Sequence, residues 1–147
     1  MPGALLCILC EIFASFAILS YMLTENELSN IIIGESIYIH KTLGPGLLES
    51  VYKECLYYKL IKRELNIVKE KAVPLVFEEI KMECGYRADL IIENKVIVEI
   101  KCVDALADIH KAQVLTYLRL TNLKLGLLIN FNVVLLKDGI RRIVNNL

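Results

Sequence analysis

The sequence predicts an α/β domain in which helices flank a mixed β-sheet. Two observations carry this prediction. Apolar residues recur with a helical period over residues 24–43 and 47–63, whereas from residue 66 they form short runs typical of strands. One further helical segment, residues 108–120, separates the early strands from the last two. Helices placed before and between strands are typical of a sheet covered by helices.

Composition limits the class of protein. With 147 residues the chain can form one domain with a substantial core. Lys plus Arg and Asp plus Glu are both 17, so no overall charge attracts nucleic acid, and binding to it would need a local basic patch. The basic side chains that could touch phosphates are Lys53, Lys59, Lys62, Arg63, Lys111 and Arg119. The five cysteines are odd in number and mostly in apolar contexts, which predicts reduced thiols and a cytoplasmic protein.

Residues 1–23 form an apolar N-terminal extension interrupted by Glu11. No Lys or Arg precedes the apolar run, which excludes a secretory signal peptide. A membrane partner is not expected either, because the uncharged run after Glu11 falls short of the ~20 residues that a bilayer requires. We expect the functional chain to begin near Met22, with a weak anchor or a dimerising helix as alternatives. The predicted domain then covers residues 24–147.

The first helix has clear start and stop signals. Thr24 and Glu27 form a capping box, and Leu23 and Leu28 are spaced for a hydrophobic staple. Gly44-Pro45-Gly46 ends the helix. The residues predicted to face the core are Leu28, Ile31, Ile32, Ile39 and Leu43.

A second helix is predicted from Leu47 to Arg63. On it, Glu49 and Tyr52 are three residues apart and share a face. Glu49 has two interpretations. It is either a residue of a functional site or an acid favoured in the first helical turn and paired with Lys53 four residues later.

Two short strands are predicted next, Asn66–Lys71 and Val73–Glu78. Pro74 cannot donate a ladder hydrogen bond, so the second strand is expected at an edge. Glu79–Glu83 is too charged for a core strand and is predicted to form a turn and a strand end.

Residues 86–102 form the most informative stretch, two apolar strands joined by a tight turn at residues 93–95. Both strands carry charges where a core requires none. Glu99 and Lys101 are two residues apart and therefore project from one face. Closing the turn brings Asp89 level with Glu99 to within about one residue.

Two carboxylates and one ammonium thus converge in apolar surroundings, which is costly unless the charges pair or hold a cation. Oxygen ligands around an open position suit Mg²⁺ or Mn²⁺. The alternative is an ion pair of Lys101 with Glu99 or Asp89 on the exposed face of a half-buried hairpin.

Asp108 is a plausible N-cap of a third helix that extends to about Leu120. Gln113 and Tyr117 lie on one side of this helix, and His110 is one turn before Gln113. A single His in such a position is more often a surface or packing residue than a ligand. The residues predicted to point inward are Ile109, Ala112, Leu115 and Leu118 or Leu120.

The chain is predicted to end in two strands. Lys124–Phe131 is apolar throughout, as is typical of a strand buried on both faces. Asp138-Gly139 predicts a turn into the last strand, Ile140–Val144. The apolar character of these strands offers an edge through which a homodimer could form.

Three motifs in this order resemble one known family. Residues 46–52, G-L-L-E-S-V-Y, match the G-x-x-E-x-x-Y signature of the GxxExxY proteins, a group within the PD-(D/E)xK nuclease superfamily. Asp89 followed by Glu99-Ile100-Lys101 resembles the superfamily's own motif, with Ala88 in place of the proline. Gln113-x-x-x-Tyr117 is similar to a motif of RecB-like nucleases. The resemblance covers about residues 24–147 and implies a restriction-endonuclease-like core.

The resemblance also implies the roles of the hairpin residues. Asp89 and Glu99 would bind Mg²⁺ or Mn²⁺, together with the carbonyl oxygen of Ile100. Lys101 would position the attacking water and hold the scissile phosphate.

Further roles follow for the helices. Glu49 would accept a hydrogen bond from water at the metal or join its ligands. Gln113 would orient the catalytic lysine or contact the substrate backbone. Tyr52 and Tyr117 would brace the site, and His110 is a supporting candidate beside them.

The function expected first is hydrolysis of phosphodiester bonds, with DNA as the expected substrate. This reaction needs a Lewis acid, an activated water and a positive charge near the pentavalent phosphate. The second hypothesis is a catalytically inactive descendant that binds nucleic acid or a protein partner. The third is a membrane-tethered protein whose N-terminal segment is the functional part.

Overall fold

A computed structural model describes residues 23–82 and 87–146. The expectations for residues 1–22, including a start near Met22, lie outside the described residues. Within the described ranges no helix has the length and hydropathy needed to cross a membrane. The elements in chain order are α1 (Glu25–Leu43), α2 (Glu49–Ile61), β1 (Ile67–Ala72), β2 (Leu75–Phe77), β3 (Ile80–Met82), β4 (Arg87–Ile92), β5 (Val96–Lys101), α3 (Asp108–Thr121), β6 (Leu125–Asn130), α4 (Leu136–Gly139) and β7 (Ile140–Val144).

The main sheet has five strands in the order β1-β4-β5-β6-β7. Strands β5 and β6 are parallel, and the other neighbouring pairs are antiparallel. The predicted α/β fold with a mixed sheet and flanking helices is therefore confirmed. The turn and strand end predicted for residues 79–83 are confirmed as far as residue 82, the last described residue before the gap. Glu79 lies in the turn, and Ile80–Met82 forms a strand that pairs with β2 in a separate two-stranded sheet.

Alternating strand residues feed two hydrophobic cores, one on each face of the sheet. Val96, Val98 and Ile100 of β5 pack with the apolar faces of α1 and α2. Ile97 of β5 packs with α3 instead. Since side chains alternate along a strand, Glu99 and Lys101 follow Ile97 toward the α3 side.

Helix α1 begins as predicted and buries more polar surface than predicted. Thr24 and Glu27 form the capping box, and Gly44 ends the helix with a positive φ of 72°. Leu43, predicted to face the core, is 43% exposed, because it precedes the point where the chain turns away. The buried face instead includes four polar residues, Ser29, Glu35, Ser36 and His40.

Helix α3 differs from its prediction at its start. The N-cap is Ala107, and Asp108 is the first helical residue. Ile109 and Ala112, predicted to be inward, are exposed. The helix packs through its second half, where Val114 and Leu118 lie directly over Gly126 of β6.

The last strands agree closely with the prediction. All six residues of β6 are buried. The turn predicted at Asp138-Gly139 is a short helix, α4, that leads directly into β7.

Candidate functional site

The charged hairpin brings Asp89 and Glu99 level at the carboxyl end of β5. Backbone pairing of β4 with β5 stops where Leu90 faces Val98. One residue further, Oδ2 of Asp89 accepts the Ile100 N–H at 2.9 Å in place of a backbone carbonyl. The two strands are thus held together by a side chain at the point where the acidic residues meet.

Glu99 is buried, with a relative exposure of 3%. Its Oε1 accepts a hydrogen bond from Lys101 Nζ at 2.8 Å, whereas its Oε2 has no hydrogen-bond partner among the described residues. Burial and the nearby charge of Asp89 raise the pKa of Glu99, although Lys101 opposes the shift. The ion pair considered as an alternative therefore exists, but it lies in the interior and leaves one oxygen unsatisfied.

Lys101 stays positively charged in this environment. Burial acts to lower its pKa, but its bond to Glu99 and the negative charges of Glu99, Glu49 and Asp89 raise it above the ordinary 10.5. The backbone of Lys101 is also fixed, because its carbonyl accepts the Phe131 N–H at 2.9 Å.

Asn130 is a supporting residue that the sequence did not reveal. It is 1% exposed, and its amide binds both the N–H and the carbonyl of Val103 at 3.1 and 2.7 Å. It thereby ties the chain just beyond Lys101 to the end of β6. An asparagine at the end of an apolar run carries no sequence signal that distinguishes it from a turn residue.

The G-x-x-E-x-x-Y segment positions Glu49 through its own loop. The Tyr52 hydroxyl donates to the Gly44 carbonyl at 2.6 Å and accepts the Leu47 N–H at 3.2 Å. Gly46 has a φ of 97°, which favours glycine. Glu49 lies in the first turn of α2, and its charge raises the pKa of Lys101 from there.

On α3, Gln113 reaches the site through Tyr117. Gln113 Nε2 donates to the Tyr117 hydroxyl at 2.8 Å. Tyr117 packs in the same core cluster as Ala88 and Ile97 of the hairpin. Burial raises the pKa of Tyr117, and the charges of Glu99 and Asp89 add to this effect.

His110 has a structural contact at the start of α3. Its Nδ1 accepts the N–H of the N-cap residue Ala107 at 3.1 Å, so the imidazole satisfies a backbone donor at the start of the helix. This agrees with the packing interpretation of a single His.

Two charged residues join the hairpin without having been predicted there. Lys53 Nζ lies 2.9 Å from Glu70 Oε1 and 3.3 Å from Asp89 Oδ1. The pair of Glu49 with Lys53, considered as an alternative, is replaced by these contacts. Burial opposes the charge on Lys53, but both carboxylates raise its pKa. Only the packing of α2 against β1 and β4 reveals this arrangement.

Most of the candidate phosphate-binding cations have carboxylate partners. Lys59 and Arg63 both bind Glu35 between α1 and α2, away from the hairpin. Lys111 pairs with Asp108 at 2.9 Å. The lysines that contact the hairpin carboxylates are Lys101 of the hairpin itself and Lys53 of α2.

Asp89 and Glu99 have the chemistry required to hold a hard divalent cation. Both present carboxylate oxygens, and Oε2 of Glu99 is buried without a hydrogen-bond donor from residues 23–82 or 87–146. Across residues 23–82 and 87–146, no group of three or more His, Cys, Asp or Glu side chains is arranged to hold a metal ion. A cation at the hairpin would thus need oxygens from water or substrate as well, which is usual for Mg²⁺.

A model of the PD-(D/E)XK nuclease superfamily matches residues 26–143. The match spans both helices of the first core, the whole hairpin and the strands beyond it. The chain belongs to the PD-(D/E)XK nuclease superfamily. Comparisons with curated proteins and with solved structures gave no match.

Proposed function

We propose that this protein is a divalent-metal-dependent nuclease that hydrolyses phosphodiester bonds, with DNA as its substrate. The observation that carries the proposal is the buried Glu99 beside Asp89 and Lys101, whose Oε2 receives no hydrogen bond from any residue that the structure describes. A buried, unsatisfied carboxylate oxygen costs stability, and a bound cation would remove that cost. Membership of a superfamily of nucleases supports the same conclusion.

Asp89 and Glu99 would hold Mg²⁺ or Mn²⁺. When bound, such an ion supplies Lewis acidity to the phosphate and lowers the pKa of water. Lys101, whose pKa is raised, remains an ammonium at neutral pH. It therefore acts through its charge on the phosphate and by orienting the nucleophile, and it does not act as a general base.

The remaining candidates would act around this centre. Glu49 would accept a hydrogen bond from a water molecule at the mouth of the site. Gln113 and Tyr117 would act as one hydrogen-bonded unit that keeps the catalytic lysine oriented. Tyr52 would support Glu49 by holding the loop before α2. The G-x-x-E-x-x-Y segment further supports membership of the GxxExxY group, while a homodimer and a cytoplasmic location stay predictions.

The first test is a calorimetric titration of Mn²⁺ into the full chain and into Asp89→Asn and Glu99→Gln. Both substitutions preserve side-chain shape and remove a charged ligand. Glu54→Gln is the matched control, because Glu54 is an exposed carboxylate on α2 that pairs with Lys69. We expect wild type and Glu54→Gln to bind alike and both site variants to lose binding.

A cleavage assay on single- and double-stranded DNA and RNA follows the titration. Mn²⁺ binding without cleavage of any of these would favour the catalytically inactive descendant, a binding protein that retains its metal site. Equal titrations for wild type and both site variants would show that the acidic residues are structural, and the proposal would then fail.

A further inference from the structure

Lys53 places its ammonium against Asp89, one of the two proposed metal ligands. Its ammonium bridges Glu70 and Asp89, at 2.9 and 3.3 Å, with only 14% of its side chain exposed. The Asp89 side chain is 13% exposed, so this contact is largely shielded from solvent. Removing either partner would leave a charge that is poorly solvated.

Three carboxylates lie in a row across adjacent strands. In the β1–β4 ladder, Lys69 pairs with Leu90 and Lys71 with Ala88, which places Glu70 opposite Asp89. Glu99 is level with Asp89 on the other side, in β5. Lys53 and Lys101 each bind within this row, so two ammonium groups of the protein balance most of its charge.

Both oxygens of Asp89 are engaged in this arrangement. Oδ2 accepts the Ile100 N–H, which fixes the strand, and Oδ1 faces Lys53 Nζ. A metal ion that used Oδ1 would have to displace the ammonium, and two cations on one oxygen repel each other.

We propose that Lys53 is an internal cation that competes with the divalent metal for Asp89 and so sets the metal affinity of the site. The proposal rests on the metal site of the proposed function. Lys53 would hold the carboxylates in place when the metal is absent. On metal entry it would keep its bond to Glu70.

The test is a calorimetric titration of Mn²⁺ into wild type, Lys53→Met and Lys69→Met. Lys69 is the matched control, because it also joins β1 to α2 through one carboxylate, Glu54, at 2.9 Å. We expect Lys53→Met to bind Mn²⁺ about fivefold more tightly or better, and Lys69→Met to bind like wild type. Lys53→Arg, which keeps the charge, should not gain affinity.

A second readout is the rise in melting temperature on adding Mn²⁺, which should be larger for Lys53→Met than for wild type. Lys53→Gln replaces Lys53→Met if the latter does not fold. Wild-type binding with an unchanged or weaker Lys53→Met would overturn the role of Lys53 and leave the metal site standing. Absence of binding in every variant would sink both proposals.

Discussion

Two buried carboxylates in this domain have opposite surroundings. Glu35 in α1 receives Arg63 on one oxygen at 2.7 Å and Lys59 on the other at 3.1 Å. Burial alone would raise its pKa, but these two cations lower it. Glu99 has Lys101 on one oxygen and no described partner on the other, and its pKa is raised.

We interpret the difference as that between a structural charge, Glu35, and the charge proposed to bind metal, Glu99. A carboxylate with all its oxygens satisfied is stable in its ionised form and adds rigidity. A carboxylate with an unsatisfied buried oxygen is under-compensated, which is typical of sites poised for a ligand. We therefore expect substitutions at Glu35 to change stability and substitutions at the hairpin to change function.

The largest expected effect is on catalysis, in Lys101→Met. Loss of one preorganised positive group should lower the cleavage rate by about 10²–10³-fold. Mn²⁺ binding should persist, because both proposed carboxylate ligands remain. Single-turnover cleavage and calorimetry measure the two quantities, with Lys124→Met, an exposed lysine before β6, as control. Full activity in Lys101→Met would contradict the assignment.

On the structural side, Glu35→Gln should lower the free energy of unfolding by about 1–2 kcal/mol. The value is modest because Arg63 is 62% exposed and can be solvated when its partner is lost. Urea unfolding measures the loss, and cleavage activity should remain. If Glu35→Gln left the free energy of unfolding unchanged and impaired cleavage, Glu35 would be functional and not structural.

The stabilisation that Glu35 gains from its two cations should depend on pH, and the sign of the dependence is defined. Because the pKa of Glu35 lies below its ordinary 4.5 in the folded protein, the stabilisation is complete above pH 4.5 and is lost as the pH falls through the lowered value. Unfolding free energies at a series of pH values should show the gap between wild type and Glu35→Gln closing in that acid range. A gap that widens on acidification would disprove the linkage.

The smallest expected effect is on stability, in Glu99→Gln. The folded state raises the pKa of Glu99, so wild-type stability falls as the pH rises from 4.5 through the raised value. At neutral pH without metal, the variant should therefore unfold within about 1 kcal/mol of wild type, and equal or greater stability is expected. Urea unfolding with and without Mn²⁺ measures the difference in unfolding free energy. Only wild type should become more stable when the metal is added. If Glu99→Gln lost as much unfolding free energy as Glu35→Gln, Glu99 would be a structural residue.

Local sequence signals predicted the framework of the site well. The turn at residues 93–95 has positive φ at Glu93 and Asn94, and it placed Asp89 level with Glu99 as expected. The geometry of a turn and the alternation of side chains along a strand depend only on neighbouring residues, so both can be predicted without knowledge of the fold. The order of the three motifs likewise predicted the superfamily.

Features that depend on contacts with residues far away in the sequence could not be predicted from the sequence. On α3 the inward prediction was wrong for Ile109 and Ala112, which are exposed, and it is confirmed for Leu118. Val114, which the sequence did not single out, lies over Gly126. The buried polar face of α1 was missed because the cations that satisfy Glu35, Lys59 and Arg63, come from α2 and the turn after it. Periodicity cannot show where a helix leaves the surface that it covers.

The sequence by itself determined the class of fold, the position of the hairpin and the identity of its charged residues, because capping, turn chemistry and strand alternation act within a few residues. The tertiary structure alone decided which of those charges are satisfied. The contact of Lys53 with Asp89 and the unbonded oxygen of Glu99 arise where α2, β1, β4 and β5 meet. Whether a buried charge is structural or functional depends on such long-range neighbours, since desolvation and pairing are set by all the groups around it.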